Sequence, residues 1–207
     1  MLGISGAQAT IIYVMVNLMR YLKPIVASVG LAMGILQPVV VSAQSDTVVA
    51  PSMDELLQQL SDAEPGQAAM LADRIQREWD KSGSASADFL LKRGRDAMER
   101  DEPEVAIEHF TALVDHAPDF AQGWAERARA FFVVELYGPA VGDLEHALAL
   151  EPRHFEAMMG LAVILDTMNR PKDAYEAYLQ VKAIHPNQPG LTEALQRLEP
   201  LVRGQEL

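Results

Sequence analysis

One interval constrains this chain more than any other feature. Ala106, Ala140 and Ala174 lie 34 residues apart, and so do Pro118, Pro152 and Pro186. Between each alanine and its proline, a large residue recurs at a fixed offset: Phe110, Leu144 and Tyr178. Self-similarity at this period marks arrays of helix–turn–helix units, each burying its apolar face only against its neighbours. The expected fold is all-α: a short solenoid of antiparallel helix pairs with units at 87–120, 121–154 and 155–188.

Each unit carries its own helical logic. In the first helices, Leu90, Gly94 and Ala97 share one stripe, matched by Trp124, Ala128 and Phe131 and then by Met158, Ala162 and Leu165. This i, i+4, i+7 spacing places three side chains on one helical face. The second helices open near Pro103, Pro139 and Pro171, since a proline suits a first turn whose amides lack partners. They close ahead of the periodic prolines, because a residue preceding proline is pushed out of α geometry. Small residues, Gly94 against Ala106 and Ala128 against Ala140, are expected where the two helices cross closely.

These residues resemble the tetratricopeptide repeat (TPR), whose pattern is W-x2-L-G-x2-Y, then A-x3-F, then P. The second unit supplies Trp124, Phe131, Ala140, Leu144, Ala147 and Pro152. The first supplies Gly94, Ala106, Phe110 and Pro118, and the third Leu161, Ala174, Tyr178 and Pro186. Arg93 and Arg127 stand where the pattern has Leu, and Leu113 and Val181 where Ala is common. The phrases "HAPDFA", "EPRHFEA" and "AIHP" are similar to those of exported bacterial TPR proteins. The resemblance implies a right-handed solenoid that binds a protein or peptide and needs no cofactor.

The same resemblance implies a concave groove lined by the first helices. Its positions here are Leu91, Arg95 and Met98, then Ala125, Arg129, Phe132 and Val133, then Met159, Val163 and Asp166. Arg95 and Arg129 are one repeat apart among apolar residues, an arrangement suited to a peptide bearing a carboxylate or acidic side chain. Two readings stay open at this point. The groove either takes a ligand or is filled by the chain's own terminal helices, with Arg95–Glu99 and Glu126–Arg129 as ordinary helical ion pairs. The Lys and Asn that chaperone-tail clamps of this family use are absent from these positions.

The flanks complete the layout. Arg20 and Lys23, the apolar run Ile25–Leu36, Pro38 and Val41-Ser42-Ala43 together read as an export signal cut before Gln44, with translation starting at Met19 or Met15. Residues 1–43 are then a leader and the array is periplasmic. An uncleaved 25–43 segment would instead hold a scaffold at the inner membrane with the repeats outside the cytoplasm. After a 44–51 linker, residues 52–86 read as a degenerate helical hairpin covering the open start of the array. Ser52/Glu55 and Ser61/Glu64 look like capping boxes, and Gly83 is the expected stop. Leu191, Ala194, Leu195 and Leu198 predict a capping helix in 189–207 that stops at Pro200.

Charge and chemistry narrow the partner. The 207 residues carry a net charge of −12, and the two basic residues of the leader leave −14 on the remainder, which repels phosphate backbones and speaks against nucleic acid. No cysteine is present, which removes thiolate metal sites, disulfides and lipid anchors on Cys. The five histidines, His109, His116, His146, His154 and His185, include no pair at three- or four-residue spacing, so no metal or catalytic motif emerges. An enzyme or metal-binding protein is thus the weakest alternative. Exposed repeat ends leave self-association open.

Overall fold

The computed structural model describes residues 50–204; the leader expected at 1–43 and most of the linker lie outside the described residues. Those residues form α1 (Met53–Ser61), α2 (Pro65–Trp79), α3 (Ala85–Glu99), α4 (Pro103–His116), α5 (Ala121–Val133), α6 (Tyr137–Leu150), α7 (Phe155–Thr167), α8 (Pro171–Ile184) and α9 (Leu191–Arg203). No strand occurs among them. The pairs α3/α4, α5/α6 and α7/α8 pack internally, and each pair stacks on the next.

The repeat is as regular in its turns as in its sequence. Asp101, Glu135 and Asn169, again 34 residues apart, all sit in the left-handed region at φ 59°, 59° and 57°. At each, the next amide reaches back five residues: Glu102 N to Ala97 O at 3.0 Å, Leu136 N to Phe131 O at 2.9 Å, and Arg170 N to Leu165 O at 2.9 Å. The left-handed residue itself donates to the carbonyl three back, completing a Schellman closure of the first helix. Glycine is the usual residue there, so side chains at these three positions carry strain that the tight turn imposes. Pro103 and Pro171 open α4 and α8, while Pro139 is the third residue of α6; all three stand where an amide has no intrahelical partner.

Each core joins one unit to the next. Ala87, Leu91, Ala97, Ala106, Phe110 and Leu113 are buried together with Ala130 of the following unit. Ala128, Ala140, Leu144 and Ala147 take Ala157 and Ile164 from α7. Met158, Ala162, Leu165, Ala174, Tyr178 and Val181 close against Leu191, Ala194, Leu195 and Leu198 of α9. The small residue of the stripe has a different role from that expected. A Cβ on Gly94 would stand 2.3 Å from Phe110 Cε1, so the glycine admits an aromatic ring rather than the backbone at Ala106. The second unit seats Ala128 in one core with the slimmer Leu144, where a Cβ is accommodated.

Four local expectations are corrected. The Ser52/Glu55 capping box is present, but α2 starts at Pro65 with no side-chain cap, and Ser61 ends α1 with its Oγ on Gln58 O at 2.8 Å. Helix α2 stops at Trp79, and Gly83 (φ 76°) turns the connection beyond it. Helix α9 runs through Pro200 to Arg203, because burial of Leu195 and Leu198 holds the helix and the carbonyl freed at Gln196 belongs to an exposed residue.

The fourth correction concerns the hairpin α1/α2, which does not cover the start of the array. Its apolar stripe, Leu56, Leu57, Leu60, Ala68 and Ile75, is buried with Phe155 and beside Ile184, both of the third unit. Asn187 Nδ2 donates to Ala63 O at 2.8 Å, and Arg153 pairs with Asp54 at 2.6 Å. The outward face of α3 is mostly charged, with Asp88, Lys92, Arg93 and Glu99 exposed beside a 61% exposed Phe89. The hairpin therefore finds its apolar partner about a hundred residues further along, at the edge where the third unit opens and closes.

Candidate functional site

The first helices lie side by side, α3 against α5 and α5 against α7, so their outward residues share one face. Between α5 and α7 this face holds a cavity of about 220 Å³. Ala125, Arg129 and Phe132 of α5 and Glu156, Met159, Gly160 and Val163 of α7 line it, with Leu144 and Ile164 behind. Its lining is otherwise apolar, the polar members being Gln122, Glu126, Arg129 and Glu156.

The expected groove residues divide three ways. Arg129, Phe132 and Met159 line this cavity together. Leu91 does not; at 4% exposure it belongs to the core of the first unit, because α3 turns it toward α4. Met98 packs partly buried against the same core. Val133, at the end of α5, is 49% exposed and outside the cavity.

Arg95 is the main correction. It is not a free fork equivalent to Arg129. Its Nη1 and Nη2 donate to the two Asp80 carboxylate oxygens at 2.9 and 2.7 Å, and its Nε donates to Glu126 Oε1 at 2.6 Å. The expected Arg95–Glu99 pairing does not form; Asp80, at the end of α2, displaces it by offering both oxygens to one guanidinium. Arg129 does lie 3.2 Å from Glu126, as the spacing allowed, with its side chain 55% exposed. A similar closure occurs at the far end of the face, where Arg197 of α9 binds both oxygens of Asp166. Ion pairs from the terminal segments thus engage charged residues at both ends of the face, Arg95 by Asp80 and Asp166 by Arg197, while the α5–α7 cavity stays open.

The Arg95 contacts belong to a chain of polar groups that crosses all three units. Gln122 Nε2 donates to Glu126 Oε1 at 3.2 Å, and His154 Nε2 lies 2.8 Å from Gln122 Oε1. His154 Nδ1 accepts from Ala157 N at 3.3 Å and so caps α7. An Nδ1 that accepts leaves the proton on Nε2, which then donates to Gln122. The ring is fully buried and stacked on Trp79 at 4.2 Å, and burial pushes its pKa down to about 4. The second buried histidine, His185, packs edge-on to Phe155, and burial lowers its pKa as well. Among the described residues, no group of three or more His, Asp or Glu could hold a metal ion.

Sequence reasoning did not anticipate Glu156 or Asp80. Neither falls on the repeat stripe, and their roles depend on neighbouring elements whose partner residues lie 15 to about 30 positions away. Glu126 was visible only as the i−3 partner of Arg129.

Stacked helix pairs with an open cavity on the first-helix face define a helical-repeat scaffold. Residues 91–137 and 136–189 match the family model described as "Tetratricopeptide repeat". A TPR repeat-containing protein of Rhizobium etli is 33% identical over 135 residues, covering 65% of this chain and 66% of that protein. The small glutamine-rich tetratricopeptide repeat-containing protein 2 of Saccharomyces cerevisiae is 32% identical over 120 residues, 58% of this chain and 34% of its own length. The first TPR of Spaghetti (RPAP3), solved bound to HSP90 peptide SRMEEVD, superposes with a TM-score of 0.56 at 22% identity, over 58% of this chain and 95% of that one. The chain is a tetratricopeptide repeat protein. It spans about two thirds of the Rhizobium protein and one third of the yeast protein.

Proposed function

We propose that this chain is a non-enzymatic binding protein that presents the α5–α7 face to a peptide or protein segment, as an adaptor or assembly factor in the periplasm. One observation carries the binding reading: a largely apolar cavity, with Arg129, Phe132 and Met159 in its lining, stays open while Arg95 and Asp166 on the same face are paired by Asp80 and Arg197. Support comes also from solved TPR domains that hold bound peptides, among them the RPAP3 domains with HSP90 and HSP70 peptides. The export reading rests on Arg20, Lys23, Ile25–Leu36 and Val41-Ser42-Ala43.

A photo-crosslinking residue placed at Met159 in cells tests the binding reading. Discrete adducts at that site, missing when the same residue replaces exposed Glu108, are the expected result. Equal labelling at both positions would remove the cavity from consideration. The intact mass of the native chain tests localisation: a mature protein starting at Gln44 is expected, and retention of residues 25–43 would favour the membrane-held scaffold.

A further inference from the structure

We propose that the α5–α7 cavity selects a basic side chain, arginine or lysine, of the bound peptide. This rests on the binding reading above and reverses the acidic preference that two free arginines would have conferred. With Arg95 committed to Asp80 and Glu126, the cavity lining carries two carboxylates, Glu126 and Glu156, against the single guanidinium of Arg129.

Glu126 supplies the specific argument. It is only 6% exposed, and its Oε1 already accepts from Arg95 and Gln122. Its Oε2 is buried and accepts no hydrogen bond. Arg129 Nη2 lies 3.2 Å away, close enough for charge attraction but outside hydrogen-bonding geometry, and the Arg129 side chain is more than half exposed. A buried carboxylate oxygen without a donor is an unmet demand for one, and a charged donor satisfies it best. Arg129 can swing into solvent; the oxygen cannot.

Glu156 points the same way. Crowding by protein atoms, followed by the charges of Glu126 and Asp80, pushes its carboxyl above the usual range even though its side chain keeps an open side. A cation placed between the two carboxylates relieves both. The remaining walls suit the stem of such a side chain, since Ala125, Phe132, Met159 and Val163 give aliphatic and aromatic surface for methylenes. A volume of about 220 Å³ falls below the roughly 300–1,000 Å³ of whole small-molecule sites and fits one long side chain. The chain's net charge of −12 adds a long-range field that draws in basic segments.

The test uses three short fluorescein-labelled peptides on one leucine–alanine background, with a central Arg, Gln or Glu. Binding is read by anisotropy and located by amide chemical-shift mapping on the full chain. The Arg peptide is expected to bind roughly two- to fivefold tighter than the Gln peptide, the upper range for one partly exposed charge pair. Shifts should fall on Ala125 and Val163. Glu156→Gln should remove most of that preference, while Arg129→Ala, which deletes the competing cation, should tighten the Arg peptide. Circular dichroism checks that both variants fold. Preference for the Glu peptide, loss of binding on Arg129→Ala, or equal binding of all three at the cavity would each overturn the basic-side-chain proposal and leave the groove reading standing. Shifts nowhere on the α5–α7 face, with any peptide, would overturn both.

Discussion

Replacing Gly94 by alanine separates helix propensity from shape. Glycine inside a helix is normally a liability, so Gly→Ala on its own would stabilise by about 1 kcal/mol. Here the new Cβ would lie 2.3 Å from Phe110 Cε1 and 2.6 Å from Cδ1 and Cζ, and that ring is fully buried with nowhere to turn. Overpacking of a close-packed core costs about 1–3 kcal/mol, and contact with three ring atoms belongs at the upper end. The net expectation is a loss of about 2 kcal/mol. Phe110→Leu copies the second unit, where Ala128 and Leu144 share a core, and should cost about 1 kcal/mol alone. In that background, Gly94→Ala should turn neutral or stabilising, giving a coupling of about 2–3 kcal/mol, the upper range for residues in contact. Urea unfolding by circular dichroism measures the four corners of the cycle. Hydrogen exchange of α3 and α4 amides confirms that the change is local, since repeat arrays need not unfold as one unit. A Gly94→Ala effect of the same sign and size in both backgrounds would refute the steric argument.

Other consequences follow from the turns and the buried histidine. Glu135 holds φ 59° with an exposed side chain, so Glu135→Gly should raise stability by about 0.5–1 kcal/mol. Asn169→Gly should give less, since Asn tolerates the left-handed region; a larger gain at 169 than at 135 would contradict the strain assignment. His154 titrates near pH 4 when folded and near 6.5 when unfolded, so the unfolded chain binds the extra proton between those values. Its contribution is fully present above pH 6.5 and is lost as pH falls to about 4, by at most about 3 kcal/mol. Urea midpoints across that window should fall less steeply in His154→Asn, which retains a capping side chain for α7; identical slopes would show that the histidine is not the titrating group.

How far the sequence reaches depends on the range of the interaction. The period, the helix pairs and the proline boundaries were legible because each is a local arrangement repeated at 34-residue intervals, whereas the packing of Phe110 against Gly94, where Ala106 was expected, emerged only in the fold. Arg95 and Arg129 were indistinguishable by the same measure. They occupy equivalent positions in equivalent helices, and only the fold decides that Asp80 reaches one of them and not the other. The docking of α1/α2 on Phe155 and Ile184 is likewise invisible to periodicity, since an apolar stripe states that a helix will be buried but not by what. Sequence alone determined a stacked array of three helix pairs, because helix formation and nearest-neighbour packing are local. Tertiary structure decided which charges are spent holding the hairpin and where a cavity remains, because burial and charge pairing depend on residues the chain brings together only once it has folded.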